Sequence, residues 1–176
     1  MVALAALALS AFGGGCAGTG TVEAPEAEPV AGEGSPGFLD RMSSQTEVSE
    51  NDAMRGILML LDGSDTAKTF ADRVSALRQR GVVANHWDCK AARPIARGRL
   101  AYMLYQACKV PGGVMLTLTG PSCRYCLREL QYRGIMDSGS MFGSVTGLQY
   151  VTSLTRADVY METGKVPETM NPVGGR

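Results

Sequence analysis

Apolar residues recur at helical spacing in the C-terminal two thirds of the chain but not before it. Beyond about residue 50, they fall at intervals of three and four, as on one face of an α-helix. Glycine and proline interrupt this pattern and divide it into five short helices. These are predicted at about 51–61, from 65 or 66 to 80, at about 97–109, between Pro121 and Gly134, and from about 148 to 163. Residues 114–118 are predicted as a short strand or an extended buried segment.

Local signals support several of these boundaries. Ser49 or Asn51 is predicted to cap the first helix, and Gly81 is predicted to follow the last turn of the second. The loop between the second and third helices holds Trp87. The fifth helix is predicted to bury a stripe that begins at Leu148. The fold class is therefore mainly α, a small bundle of about five short helices.

Part of the pattern repeats at an interval of about fifty residues. Segment 77–83 (LRQRGVV) parallels segment 130–136 (LQYRGIM), 53 positions later. Three apolar positions also match where the first, third and fifth helices begin. The matched sets are Val48, Ile95 and Val145; Met54, Ala101 and Val151; and Ile57, Leu104 and Leu154. The bundle is therefore predicted to consist of degenerate helix–loop–helix repeats.

This layout resembles the surface-layer homology (SLH) domain. Its repeats pair a helix that opens with Ile-Thr-Arg-x-Glu with one that ends in Leu-x-x-x-Gly-hydrophobic, and segment 95–104 (IARGRLAYML) is similar to that opening. The resemblance covers about residues 48–162. Arg97 keeps the family arginine and Asp52 keeps an acid at the glutamate position, where Arg99 and Gln149 stand in the other copies. The resemblance implies a helical bundle that binds cell-wall polymers.

The first residues indicate export. Residues 2–12 form an uncharged apolar run, which is shorter than the roughly 17–25 residues of a membrane-spanning helix and fits the core of a signal peptide. Gly13, Gly14, Gly15 and Cys16 follow. The arrangement resembles the lipobox of bacterial lipoproteins, although Gly13 occupies the usual leucine position. It implies a signal peptide at 1–15 and a lipid on Cys16. Secretion without a lipid and a buried N-terminal helix are the alternatives.

A flexible tether is predicted to follow. Residues 17–37 (AGTGTVEAPEAEPVAGEGSPG) are almost all Ala, Gly, Pro and Glu and have no apolar periodicity. The predicted organisation is a lipid anchor and disordered acidic tether at 16–50, a helical SLH-like domain at 51–164 and a flexible tail at 165–176.

The neutral total charge hides a difference between these parts. Residues 17–50 contain seven acids and one base, whereas the chain from 51 onward contains ten acids and sixteen bases. Such a basic domain would attract anionic polymers or lipid headgroups, while export argues against nucleic acid. Trp87 stands among these bases and is a candidate for stacking on a sugar ring. The candidate ligand-binding residues are Trp87, Lys90, Arg93, Arg97 and Arg99.

Four cysteines besides Cys16 lie in the predicted domain, and export would allow disulfides whose pairing the sequence leaves open. They are Cys89, Cys108, Cys123 and Cys126. The last two form a Cys-x-x-Cys motif at a predicted helix start, where a thiol pKa would be lowered. This order resembles thioredoxin, with Pro167 near that family's cis-proline, and implies thiol–disulfide exchange. No strand-forming sequence follows Pro167, so the thioredoxin sheet is incomplete, and a structural disulfide or buried thiols are the alternatives.

The sequence predicts a non-enzymatic cell-envelope lipoprotein, anchored to a bacterial membrane, whose basic domain binds an anionic wall polymer such as peptidoglycan, or an envelope protein. No metal or cofactor is predicted, because one histidine (His86) and one Cys-x-x-Cys pair provide fewer ligands than the usual zinc motifs contain. Two other functions remain open. One is a thiol–disulfide oxidoreductase that uses Cys123 and Cys126, and the other is an envelope scaffold without a ligand.

Overall fold

The computed structural model describes residues 35–112, 118 and 120–170. Within them the chain forms six α-helices and no β-strand, which confirms the mainly α fold class. The helices are α1 (Ser35–Ser43), α2 (Glu50–Asp62), α3 (Phe70–Gln79), α4 (Arg97–Ala107), α5 (Cys123–Tyr132) and α6 (Gly147–Thr163), and a short 3-10 turn covers Glu168–Met170.

Some sequence predictions lie outside this range. The predicted signal peptide, Cys16 and most of the predicted tether precede residue 35, and residues 171–176 of the predicted tail follow it. Of segment 114–118 only Leu118 is described, with a helical backbone and an exposed side chain. None of the helices in the described ranges is both long and apolar enough to cross a bilayer.

The start of α2 confirms the predicted cap, whereas α3 begins later than predicted. The Ser49 hydroxyl accepts the Asp52 N–H at 3.1 Å. The second helix was predicted from residue 65 or 66, but Asp65 instead folds back to accept the Ala67 N–H and binds the guanidinium of Arg73 at 2.6 Å. The side chain of Asp65 thus holds the chain in a turn, and the helix starts one turn later.

Helix α1 corrects the predicted extent of the tether. Residues 16–50 were predicted to be disordered, yet Ser35–Ser43 is helical and buries Phe38 and Met42 completely. These two residues lie four apart and therefore share one face of the helix, which packs against α6. Three apolar residues (Phe38, Leu39 and Met42) are too few for periodicity to reveal a helix, and burial against α6 supplies the missing stabilisation.

Leu148 is a second correction. It was predicted to face the core, but it is 65% exposed. Gly147 lies directly against the Met42 backbone, and a Cβ at that position would overlap the Met42 carbonyl. This contact fixes the rotation of α6, so that Tyr150 and Leu154 enter the core and Leu148 points to solvent.

The six helices form three pairs. Helix α2 packs on α3, α4 on α5 and α6 on α1, and α2 also contacts α4 and α6. The third pair thus combines the last helix of the described chain with the first. This explains why the sequence shows only part of a third repeat.

The paired segments 77–83 and 130–136 adopt the same turn. Gly81 and Gly134 have φ values of +71° and +73°, a left-handed conformation that glycine adopts without a Cβ penalty. In each copy the residue after the glycine donates its N–H to a leucine carbonyl five residues earlier, at 2.9 Å (Val82 to Leu77, and Ile135 to Leu130). The sequence repeat is therefore also a structural repeat.

Three backbone junctions join the pairs in a ring. The first residue of each of α2, α4 and α6 donates its N–H to a carbonyl of another pair. In the first junction Glu50 donates to Arg93 at 2.8 Å, in the second Arg97 donates to Gly143 at 2.8 Å, and in the third Gly147 donates to Gln45 at 2.9 Å. Isolated antiparallel bridges at Ser49–Pro94 and Ala96–Ser144 lie beside the first two junctions.

Candidate functional site

The structure divides the predicted ligand-binding residues between two junctions. Lys90, Arg93 and Arg99 surround the first junction together with Trp87, whereas Arg97 lies in the second. The predicted basic face is thus two separate environments with different chemistry.

Glu50 dominates the first junction. Its side chain is 1% exposed, and its carboxylate binds Arg93 Nε at 2.9 Å and Arg99 Nη1 at 2.6 Å. It also accepts the Lys90 N–H at 2.8 Å. The hydrogen bonds that Arg93 donates to the Glu50 carboxylate raise the pKa of Arg93. A carboxylate this deeply buried needs such partners, so Arg93 and Arg99 stabilise the junction instead of presenting free charge.

Asp88 adds to this neutralisation. Its carbonyl accepts from the guanidinium groups of Arg93 and Arg99, and its carboxylate lies 3.7 Å from Lys90 Nζ and 3.6 Å from Arg93 Nη1. Each cation of the first junction therefore faces a carboxylate. Since Asp88 and Lys90 are mostly exposed, their pair contributes little to stability.

Trp87 is packed within the same cluster. The guanidinium carbon of Arg99 lies 4.9 Å from its ring centroid, and the ring of Tyr102 lies 5.1 Å away. A groove of about 690 Å³ runs beside it, lined by residues that include Phe70, Arg78 and Cys89. Arg99 covers one face of the indole ring. A sugar ring stacks on such a face, so this face of Trp87 is not open to a sugar.

Arg97 has no such compensation in the second junction. Its side chain is buried, with the residue 7% exposed, and it donates to Gln149 Oε1 at 3.0 Å and to the Asp137 carbonyl at 3.4 Å. Both acceptors are neutral. The Asp137 carboxylate binds Arg156 instead, at 2.7 Å. Within the described residues, Arg97 forms no ion pair.

The surroundings of Arg97 are small or aromatic. Gly139 lies directly over the guanidinium, because a Cβ built there would approach Arg97 Nε to 2.8 Å. The neighbouring Ser138 and Ser140 are exposed. Phe142 is 81% exposed. Its two neighbours hold the start of α4: the Met141 carbonyl accepts the Gly98 N–H at 2.9 Å, and the Gly143 carbonyl accepts the Arg97 N–H at 2.8 Å. The second junction thus combines a buried cation, an amide and a solvent-facing aromatic ring.

Sequence reasoning identified Arg97 but missed Glu50, Gln149 and Phe142 as members of these sites. Glu50 and Arg97 occupy the same position of the repeat, two residues after Val48 and Ile95, and that alignment was the available signal. For Phe142, the signal was a large aromatic residue within a run of glycine and serine (SGSMFGS, 138–144).

The Cys-x-x-Cys motif lies at the start of α5, as predicted, but its thiols are not activated. Cys126 is fully buried and Cys123 is half-buried. Burial raises the pKa of Cys126 to about 12, and burial also raises the pKa of Cys123, although Arg99 and the backbone oppose this. The predicted lowering by the helix N-terminus is therefore outweighed by desolvation. In the described ranges, no group of three or more His, Cys, Asp or Glu residues is arranged to hold a metal ion.

No protein-family model, curated protein or solved structure matches this chain.

Proposed function

We propose that this chain is an exported, non-enzymatic envelope lipoprotein whose helical domain binds an anionic wall polymer at the second junction. The observation that supports the binding site is Arg97, a buried guanidinium with no carboxylate partner among the described residues. Burying an unpaired cation is costly, and an anionic group of a ligand would offset that cost.

The neighbours of Arg97 indicate the class of ligand. A guanidinium binds carboxylate and phosphate groups through paired hydrogen bonds. Phe142 offers an exposed ring on which the apolar face of a sugar packs. An anionic saccharide presents both features. The resemblance of Arg97 to the arginine of the SLH motif supports the same class.

Export would place the domain where such polymers occur. The apolar run at 2–12 and the small residues before Cys16 support a lipid-modified N-terminus. Binding to a wall polymer would add a second point of attachment to the lipid anchor.

Binding to isolated wall material tests the site. We expect Arg97→Gln to weaken binding of the full-length chain at least about tenfold, because a charge-assisted hydrogen bond contributes more than a neutral one. Arg97→Lys, which keeps the charge, should retain part of the affinity. Wild-type binding should weaken as salt is added.

Matched controls separate this site from general charge and from exposed aromatic surface. Arg80→Gln also removes one cation, from an exposed pair with Asp62, and Tyr132→Ala removes an exposed ring at the far end of α5. Both should leave binding unchanged, whereas Phe142→Ala should weaken it. Equal binding by Arg97→Gln and Arg80→Gln, with both proteins folded by circular dichroism, would contradict the proposal.

Metabolic labelling tests the anchor separately. Radiolabelled palmitate should enter the wild-type protein and be absent from Cys16→Ala. Label that persists in the variant, or an unprocessed chain recovered from the cytosol, would show that the anchoring half of the proposal is wrong.

A further inference from the structure

Two cysteines of α5 lie at a separation that a disulfide can bridge. Cys123 is the first residue of the helix and Cys126 is the fourth. Residues three apart in an α-helix have Cα atoms about 5 Å apart, from the helical rise and radius. Disulfides join Cα atoms about 4.4–6.8 Å apart.

The other two thiols belong to different parts of the fold. Cys108 directly follows the last residue of α4. Cys123 lies against the start of the same helix, because a Cβ built at Gly98 would be 3.2 Å from the Cβ of Cys123. Ten residues of helix separate these points by about 15 Å. Cys89 lies in the loop at the first junction, with its Sγ 3.7 Å from the Trp87 carbonyl.

We propose that Cys123 and Cys126 form an intrahelical disulfide when the protein meets an oxidising disulfide compound, while Cys89 and Cys108 remain thiols. The thiolate of Cys123 attacks one sulfur of the oxidant and releases its other sulfur as a thiolate. Cys126 then loses its proton and attacks the Cys123 sulfur, which forms the internal bond and releases the second sulfur of the oxidant. Two protein thiols lose two protons and two electrons, and the oxidant is reduced to two thiols.

Accessibility sets the order of these steps. Cys123 is half-buried and can meet an oxidant, whereas Cys126 is fully buried and is suited only to the internal attack. The raised pKa values of both thiols leave little thiolate at neutral pH, so exchange is slow and becomes faster as the pH rises. Slow exchange fits a lasting modification and not catalytic turnover. The inference does not depend on the polymer-binding site.

Tryptic mapping provides a direct test, because Arg124 lies between the two cysteines. The full chain carrying Cys16→Ser is reduced, incubated with glutathione disulfide at mildly alkaline pH, alkylated and digested without reduction. Cleavage after Arg124 leaves peptides 110–124 and 125–128 joined only by the disulfide. We expect this joined species, with alkyl groups on Cys89 and Cys108.

Variants define the result that would overturn the proposal. Cys89→Ala and Cys108→Ala should still yield the joined peptides, whereas Cys126→Ala should stop at a glutathione adduct on Cys123. If Cys126→Ala fails to fold, the parent chain and the other two variants still decide the pairing. Joined peptides that contain Cys89 or Cys108, or alkylation of both Cys123 and Cys126 after oxidation, would overturn it.

Discussion

Glu50 and Arg97 hold the same position in successive repeats but carry opposite charge. Glu50 is buried with two arginines bound to its carboxylate, while Arg97 is buried against neutral acceptors only. The same backbone position thus carries a carboxylate bound to two arginines at one junction and a guanidinium bound only to neutral acceptors at the next.

Replacement of Glu50 tests the structural role assigned to the first junction. Glu50→Gln removes the carboxylate and leaves Arg93 and Arg99 without their shared partner. We expect the free energy of unfolding to fall by about 3 kcal/mol, since breaking a buried ion pair leaves charge uncompensated. Urea unfolding measures this, with the exposed Glu47→Gln as a control. Equal stability of the two variants would contradict the role of Glu50.

Cys108 gives a prediction about pH. Burial raises its pKa from about 9 to about 12, and the nearby Asp158 adds to the shift. Between these values the unfolded thiol ionises while the folded thiol keeps its proton, so its contribution to stability is complete below pH 9 and is lost as the pH rises. The fall is about 1.4 kcal/mol per pH unit for one proton.

Comparison with Cys108→Ala isolates that contribution. The reduced wild-type protein should lose stability more steeply above pH 9 than the variant does, in urea unfolding at a series of pH values. Parallel curves for the two proteins would show that Cys108 ionises equally in both states.

At the scale of elements, α2 and α6 meet at a glycine. The hydroxyl of Tyr150, which is fully buried, donates to the Ala53 carbonyl at 3.0 Å, and Gly56 lies against the same hydroxyl. A Cβ at Gly56 would overlap this oxygen and approach the Leu154 side chain to 3.0 Å. The two helices pack this closely because position 56 has no side chain.

A double-mutant cycle tests this contact. Gly56→Ala should cost about 2 kcal/mol through overpacking, and Tyr150→Phe about 1 kcal/mol through the lost hydrogen bond. Tyr150→Phe removes the oxygen that a Cβ at Gly56 would overlap. The double variant should therefore lose less stability than the sum of the losses of the two single variants. Gly56→Ala combined with Tyr102→Phe, whose ring packs on Trp87, should be additive. Additivity in both cycles would show that no such contact exists.

At the scale of the whole molecule, α1 completes the third helix pair and so helps to close the ring. Phe38 of this helix is fully buried, and the Arg55 guanidinium of α2 lies 5.1 Å from its ring centroid. Helix α1 is therefore an integral part of the domain, although it follows directly after the Ala-, Gly-, Pro- and Glu-rich segment.

Phe38→Ala measures that contribution. We expect a loss of about 4 kcal/mol, as for other buried aromatic residues, and a single cooperative unfolding transition. Leu148→Ala, at an exposed apolar position of α6, should change stability by less than about 0.5 kcal/mol. A Phe38→Ala loss as small as that of Leu148→Ala would mean that α1 is peripheral.

Local interactions explain which elements the sequence predicts correctly. The cap at Ser49 and the turn at Gly81 depend on hydrogen bonds within a few residues, so the sequence pattern reveals them. The start of α3 and the rotation of α6 depend on contacts with other segments, of Asp65 with Arg73 and of Gly147 with Met42. Periodicity alone contains no information about such contacts.

Helical periodicity, capping residues and turn glycines in the sequence are enough to predict the helical class, most helix boundaries and the repeat, whereas the binding role of Arg97 remains a proposal. Three features become visible only when the chain is folded: Glu50 pairs with Arg93 and Arg99, Phe142 stands exposed beside the start of α4, and α1 completes the third pair. The reason is the sequence separation of the residues that interact. Helix formation responds to neighbours within one turn, whereas the charge and exposure of a site depend on residues that folding brings together from 40 or more positions away.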